Sequence, residues 1–343
     1  MYLTANHRVV ILLHDGIKGN HGKTGLAYLR YGQAAIAAVI DAQTVGQPLE
    51  KVAGIAKDIP IVANLQAALT HKPDVLLIGI APSGGILPDS LLEEVKQAVK
   101  AGLSVVNGLH THLAPYFEQL QPQQWIWDIR KEPLELGIGS AKAQSLDCQR
   151  ILTVGTDMMV GKMSTGLECH KAAQQRGISS KFLGTGQGGI MIAGEGIPLD
   201  AIRVDFAAGA VEKMVLNAGN NHSVLWIEGQ GSLLHPGSTA TLPLIRGSQP
   251  TGLILVHRVG QTKIHNAPQV SIPPISEVIE LYEQVAKVGG AVNPVKVKAI
   301  ALNTFHLGEK EAKKAIETTQ ETTGLPSTDV VRFGSDYLLD YLF

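Results

Sequence analysis

The residues best equipped for chemistry lie in one run, ILTVGTDMMVGKMST, at 151–165. An apolar stretch containing Ile151, Leu152 and Val154 breaks into a loop bracketed by Gly155 and Gly161. Lys162 follows at once, and the next residues read as a helix. This is the strand–loop–helix layout of a phosphate-binding P-loop. Backbone N–H groups converge on phosphate oxygens, the helix N-terminus adds its positive dipole end, and the lysine adds a mobile cation. Gly155, Thr156, Asp157, Val160, Gly161, Lys162, Met163 and Ser164 are therefore the candidate cofactor-binding residues. Two departures set the loop apart from an ordinary ATPase loop. Five residues, not four, separate the glycines, and Met163 stands where the usual motif has the Mg²⁺-binding Ser or Thr. Ser164 or Thr165 would restore a hydroxyl only if the helix register shifted.

Other groups fall where they can act with this loop. Val224-Leu225-Trp226-Ile227 reads as a buried strand ending in Glu228. A carboxylate at the C-terminal end of a parallel strand lies in the crevice where α/β proteins bind ligands. Leu302-Asn303-Thr304 ends another apolar strand, and the Asn303 amide can read a purine edge or simply form a turn. The segment GTGQGGIMIAG, 184–194, carries five glycines in eleven residues. It reads either as backbone wrapping closely round a ligand or as a surface loop; Thr185, Gly186, Gln187 and Gly188 are its candidate substrate contacts. Asp205 and Glu212 are seven apart, two turns of a helix, and can share a face as an amine clamp or serve as cap and solvated acid. His235, seven residues after Glu228, is a candidate base or anion ligand.

The N-terminal third carries a second glycine turn, His14 to Gly25, in which Gly16, Gly22, Lys23 and Thr24 repeat the P-loop spacing. The first βα turn of a Rossmann-like domain has similar requirements, so a nucleotide, CoA or no ligand all remain open there. His110 and His112 have the spacing of one strand face, but two histidines make a poor metal site and no third ligand is evident. A polar loop at the sheet edge is the simpler reading, and no metal site is expected.

These sites require parallel sheets to present them. Strand-like runs at 8–13, 36–41, 74–80 and 103–106 alternate with helical patterns, most clearly 89–101, which Asp89 is placed to cap. Periodicity fades over 128–149, where Pro133, Gly137 and Gly139 suggest a connection. Strands then recur near 151, 180–184, 223–228, 252–256 and 296–302, with helices at 161–176, 206–219, 276–288 and 309–323. The expectation is an α/β protein of two parallel-sheet domains, 1–148 and 149–343.

The chain has 343 residues, a formal charge of −1, 45% hydrophobic and 17% charged residues. No basic run points to nucleic acid or an anionic membrane. The two cysteines, Cys148 and Cys169, read as reduced thiols, and no apolar segment approaches the length of a bilayer span. The expected location is the cytoplasm, with a small-molecule substrate as partner.

The loop GTDMMVGK resembles the GTD-x-x-VGK loop of dethiobiotin synthetase and related cobalamin-pathway amidotransferases, and EGQGSL is similar to their EGAGGL. The full pattern, GTDMMVGKM, TGQGGI, DFAAGAVE, EGQGSLLHP and ALNT, most resembles a family long catalogued as a domain of unknown function. In it a Rossmann-like N-terminal domain precedes a dethiobiotin-synthetase-like P-loop domain. Members include D-glutamate N-acetyltransferases, which move acetyl from acetyl-CoA to an amino group. The resemblance implies that Lys162 and its loop hold phosphates and that Glu228 sits at the reacting centre. It further implies that Thr185, Gly186 and Gln187 line the site, and that a dimer forms. It does not assign the base, for which Glu228, Asp205 and His235 are candidates. Two other functions remain open: ATP- and Mg²⁺-dependent carboxylate activation, as in dethiobiotin synthetase, and non-catalytic nucleotide binding.

Overall fold

The computed structural model describes every residue except Met1, Tyr2, Asn20 and 83–85. Asn20, inside the N-terminal glycine turn, therefore lies outside the described residues. The chain forms two compact units, 1–132 with 187–201, and 133–186 with 202–343.

In the first unit β1 (Arg8–Leu12), α1 (Lys23–Tyr31), β2 (Ala35–Ile40), α2 (Leu49–Ala53), β3 (Ile61–Val62), α3 (Leu65–Leu69), β4 (Val75–Ile78), α4 (Asp89–Lys100), β5 (Ser104–Asn107) and β6 (Ile126–Asp128) alternate. The six described strands form one parallel sheet in the order β3-β2-β1-β4-β5-β6. Val9 to Leu12 and Val75 to Ile78 are buried. That follows from covering both faces of a parallel sheet with helices, which makes its strands continuous apolar runs. Helix α1 is drawn onto the sheet where the Gly25 N–H donates to the Gly79 carbonyl at 2.8 Å.

The second unit contains β7 (Gln149–Gly155), α5 (Lys162–Gln175) and β8 (Ser180–Leu183); α6 (Gln187–Ala193) then belongs to the first unit. It continues with α7 (Ala207–Gly219), β9 (Val224–Ile227), α8 (Thr241–Ser248), β10 (Gly252–Arg258), the hairpin β11 (Lys263–Ile264) and β12 (Ala267–Ser271), α9 (Ile275–Val285), β13 (Val297–Asn303), α10 (Glu309–Thr323), β14 (Ser327–Thr328) and α11 (Asp336–Leu342). Its main sheet is parallel, β14-β13-β10-β7-β9-β8, so β7 runs through the middle. The expected α/β class is what the chain adopts.

Three local expectations are corrected. The glycine-rich stretch 184–194 is not a loop over most of its length, because α6 occupies Gln187–Ala193. Burial of Ile190, Met191 and Ile192 outweighs the roughly 1 kcal/mol that each glycine costs a helix. Asp89 does not cap α4: Pro88, with φ −60° and ψ 144°, precedes the helix, and Asp89 is its first residue. The change between units falls at 132/133, not at 148/149. Residues 133–148 fold against α7 of the second unit, where the Glu212 carboxylate accepts from Ser140 and Lys142.

Both cysteines are free and buried. Burial pushes the Cys169 thiol up to about 12, which leaves it an inert thiol. Among the described residues no helix is long and apolar enough to cross a membrane.

Candidate functional site at the P-loop

Strand β7 delivers its last residue, Gly155, to the C-terminal edge of the second sheet, and α5 begins at Lys162. The loop between them is pinned on every side. The Thr156 N–H donates to Val256 at 3.1 Å, and Asn303 Nδ2 donates to the Val160 carbonyl at 2.9 Å. The hydroxyl of Tyr282, wholly buried on α9, donates to the Gly155 carbonyl at 2.7 Å. Asp157 is fully buried. Its Oδ2 accepts from the His265 N–H and from Gln261 Nε2, both at 2.6 Å, and its Oδ1 accepts from the Met158 N–H. These bonds tie the loop to the segment around β11. Gly161, at φ +120°, makes the turn into α5 in a region that side chains avoid.

No side chain caps the start of α5, and its first turn holds no acid. Its first N–H groups and dipole are therefore uncompensated by the protein, as an anion site requires. Lys162 is buried, and its Nζ donates to the Asp157 carbonyl at 2.7 Å. Desolvation lowers its pKa to about 8, while the charges of Asp157 and Glu228 oppose that fall. The donor set fits a phosphate.

The helix starts where expected, so no register shift rescues Met163. It occupies the second helical position. The Thr165 hydroxyl, two positions further on, donates back to the Gly161 carbonyl at 3.1 Å.

Glu228 lies beside this loop. It is 4% exposed, and its Oε2 accepts the N–H groups of Thr185 at 2.8 Å and Gly186 at 3.0 Å. The Thr185 hydroxyl donates to the Glu228 carbonyl at 2.7 Å. Those two N–H groups are thus occupied by a carboxylate within the protein. Gly229, next in sequence, donates its N–H to Thr153 Oγ1 at 2.9 Å. A β-carbon on it would overlap the Thr153 carbonyl and come within 3.0 Å of Lys162 Cδ. A bare backbone here is what lets β9 pass so close to the lysine stem.

The remaining sequence candidates have the following partners. Gln187 and Gly188 directly follow Gly186 and open α6, counted with the first unit, where Arg130 Nη2 donates to Gln187 Oε1 at 3.0 Å. Glu212 accepts the Ser140 N–H, the Ser140 hydroxyl and, at 2.6 Å, the Lys142 N–H. That set fastens a surface segment and leaves little for a substrate amine. Asp205 is exposed in the short turn Val204–Phe206 and does not share a helical face with Glu212. His235 accepts the Gly237 N–H at 3.0 Å and shapes its own turn.

In the first unit, His112 sits 3.2 Å from the Arg130 carbonyl and His110 3.9 Å from Asp200, in the polar loop after β5. Asp41, after β2, is consumed by the Thr44 hydroxyl and the N–H groups of Asp15 and Gln43. Among the described residues no cluster of three or more potential ligands could hold a metal ion.

Sequence reasoning missed four residues that frame the loop. Tyr282 holds the Gly155 carbonyl and Gln261 the Asp157 carboxylate. His257, whose Nδ1 lies 3.0 Å from Thr156 Oγ1, is held at about 4 by burial and is therefore neutral. Arg258 Nη2 donates to the Met159 carbonyl at 3.0 Å. A polar His257-Arg258 pair ending the apolar strand LILV was the available signal for two of them.

A parallel sheet whose central strand feeds a glycine loop, a lysine and a helix defines a P-loop domain, and the sheet order of the first unit defines a Rossmann-like one. The chain belongs to the DUF1611 family: the family's "Domain of unknown function (DUF1611_C) P-loop domain" matches 137–339 and its "Domain of unknown function (DUF1611_N) Rossmann-like domain" matches 42–132. The chain is 35% identical over 269 residues to a D-glutamate N-acetyltransferase of Pseudoalteromonas sp., covering 77% of this chain and 79% of that one. It is also 35% identical over 284 residues to a D-glutamate N-acetyltransferase of Tritonibacter scottomollicae, covering 81% and 84%. A crystal structure of a DUF1611 family protein from Anabaena variabilis is similar at a TM-score of 0.95 with 61% identity, covering 98% of this chain and 99% of that chain.

Proposed function

We propose that the protein is an N-acetyltransferase that moves the acetyl group of acetyl-CoA to the amino group of D-glutamate. The observation that carries this reading is the form of the phosphate loop. Lys162, the loop and the start of α5 offer cationic and N–H donors, while Met163 supplies no hydroxyl at the position that follows the lysine. A loop transferring phosphoryl groups needs a Mg²⁺ ligand at that place. A loop that only holds the phosphates of CoA does not. The relatives named D-glutamate N-acetyltransferase supply the substrate.

In this reading the amine nitrogen attacks the thioester carbonyl, the C–S bond breaks, and the amine proton leaves with the thiol as its eventual acceptor. The chain's own tasks are to hold the phosphates at Gly155–Lys162, to hold the acceptor, and to take the proton. Glu228 is the base favoured among the sequence candidates, because it alone is buried beside Lys162. We further propose that Asn303 positions the loop, as its bond to Val160 indicates, and that the protein works as a homodimer in the cytoplasm.

The test is direct. Acetyl-CoA is mixed with D- or L-glutamate, free thiol is followed, and the product is weighed by mass spectrometry. Thiol release with acetylated D-glutamate is expected. Phosphate release from ATP·Mg²⁺ with a carboxylate acceptor, and no thiol, would replace this reading with carboxylate activation. Binding without turnover would leave a nucleotide-binding protein.

A further inference from the structure

Arg258, which frames the loop through Met159, also carries an exposed aromatic ring. Phe305, just past the end of β13, is 70% exposed. Its ring lies over a cation, with the Arg258 guanidinium carbon 5.5 Å from the ring centroid, and the His306 ring is T-shaped to it with centroids 5.3 Å apart. Arg258 is in turn fixed to the phosphate loop through the Met159 carbonyl. Its Nε is buried and has no hydrogen-bond partner among the described residues. Asn303 completes the frame: its amide nitrogen holds Val160, and its Oδ1 accepts the Phe305 N–H at 3.3 Å.

Exposed apolar side chains are common on any protein surface; Phe305 differs in lying under a guanidinium that is itself hydrogen-bonded to the phosphate loop. That placement suits a ring that a flat ligand group covers. The phosphate loop and the ring are linked through two residues, Asn303 and Arg258, which puts the ring within reach of a group attached to what the loop binds. An aromatic base joined to phosphates has that form, since bases stack on aromatic faces irrespective of sequence and a cation behind the ring strengthens the platform.

We propose that Phe305 is the stacking platform for the adenine ring of the bound nucleotide moiety, with Arg258 as the positioning residue that holds Phe305 against the loop. Adenine is common to CoA and ATP, so the assignment holds for either. It rests on the phosphate-loop reading of Lys162.

The experiment is calorimetric binding of CoA and of 4′-phosphopantetheine, which keeps a phosphate and the thiol arm but lacks the adenosine. Both are titrated into the full-length wild type and into Phe305→Ala, Phe305→Tyr and Lys162→Ala. Phe305→Ala should weaken CoA about tenfold and leave 4′-phosphopantetheine within twofold. Phe305→Tyr, which restores the ring, should bind CoA like wild type. A Phe305→Ala protein that binds CoA as wild type does, while Lys162→Ala loses it, overturns the stacking platform and leaves the phosphate loop standing. Loss in Phe305→Ala with no loss in Lys162→Ala overturns the phosphate loop and, with it, the assignment of the ring to that loop's ligand. If wild type binds no CoA, ATP against tripolyphosphate gives the same contrast, and failure of both adenine ligands overturns both readings.

Discussion

Lys162 donates to the carbonyl oxygen of Asp157, five residues back in its own loop, at 2.7 Å. The ammonium is buried, and desolvation brings its pKa to about 8 from 10.5. A phosphate that joined it would restore the balance of charge and raise that value again. Ligand binding above pH 8 should therefore take up a proton, and affinity should fall as pH rises from 7 to 9.5. Unfolding does not explain such a loss. Between about 8 and 10.5 the unfolded chain holds a Lys162 proton that the native chain lacks, so this group makes stability rise with pH there. Titration calorimetry of CoA in two buffers of different ionisation enthalpy measures the proton. Equal proton uptake by wild type and Lys162→Ala would overturn the assignment.

Glu228 accepts two N–H groups with one oxygen. Glu228→Ala leaves both donors buried without an acceptor, at a cost of roughly 2–4 kcal/mol in stability. Glu228→Gln keeps an acceptor oxygen and loses the charge. It should melt close to wild type while acetyl transfer falls at least a hundredfold, if the carboxylate takes the proton. Thermal melting and thiol release, measured on the same preparations, separate the two roles. A Gln variant with full activity would remove Glu228 from proton transfer and leave it a scaffold.

Much of this arrangement was legible in the residues because it is local. The loop, the helix behind it and Glu228 are each fixed by a strand end and its turn, and strand ends are visible as apolar runs that stop. Helix α10 occupies Glu309–Thr323, the segment its periodicity marks. What could not be read is what depends on partners far along the chain. Gln187 looked like part of a ligand loop because glycines signal freedom. It opens a helix instead, and its amide oxygen accepts from Arg130, 57 residues away. Tyr282 carries no local sign that its hydroxyl will reach Gly155, 127 residues earlier. Glu212 and Asp205 had a helical spacing, but the helix starts at Ala207, after Asp205.

Glu212 gives a prediction of the opposite kind, a buried acid with a structural task. It gathers three donors from Ser140 and Lys142. Glu212→Ala should destabilise the second unit by about 3 kcal/mol, since bonds to a charged acceptor are worth ~1.5–3 kcal/mol each and the loss is partly relieved by water reaching the segment. The KM values of acetyl-CoA and D-glutamate should stay within twofold. Urea unfolding and steady-state kinetics check the two halves. A KM for the amino acid that rises tenfold with stability intact would return Glu212 to the substrate site.

Met163 invites the reverse substitution. It follows Lys162 directly and takes the second position of α5, where a hydroxyl would face the ligand-binding side of a Mg²⁺-dependent loop. The protein has a half-buried Ser164 one position further on, too late by about 100° of helix to serve the same point. If the loop has given up the metal by this one residue, Met163→Thr should restore a preference. Affinity for ATP should rise about tenfold on adding Mg²⁺ in the variant and change little in wild type, while CoA binding stays the same in both. Thermal shifts read this easily, because a ligand at a hundredfold excess over its dissociation constant stabilises by about 2.7 kcal/mol. A wild type that already prefers ATP·Mg²⁺ to ATP would show that the methionine is no barrier to the metal, and the case for a CoA-holding loop would lose its main support.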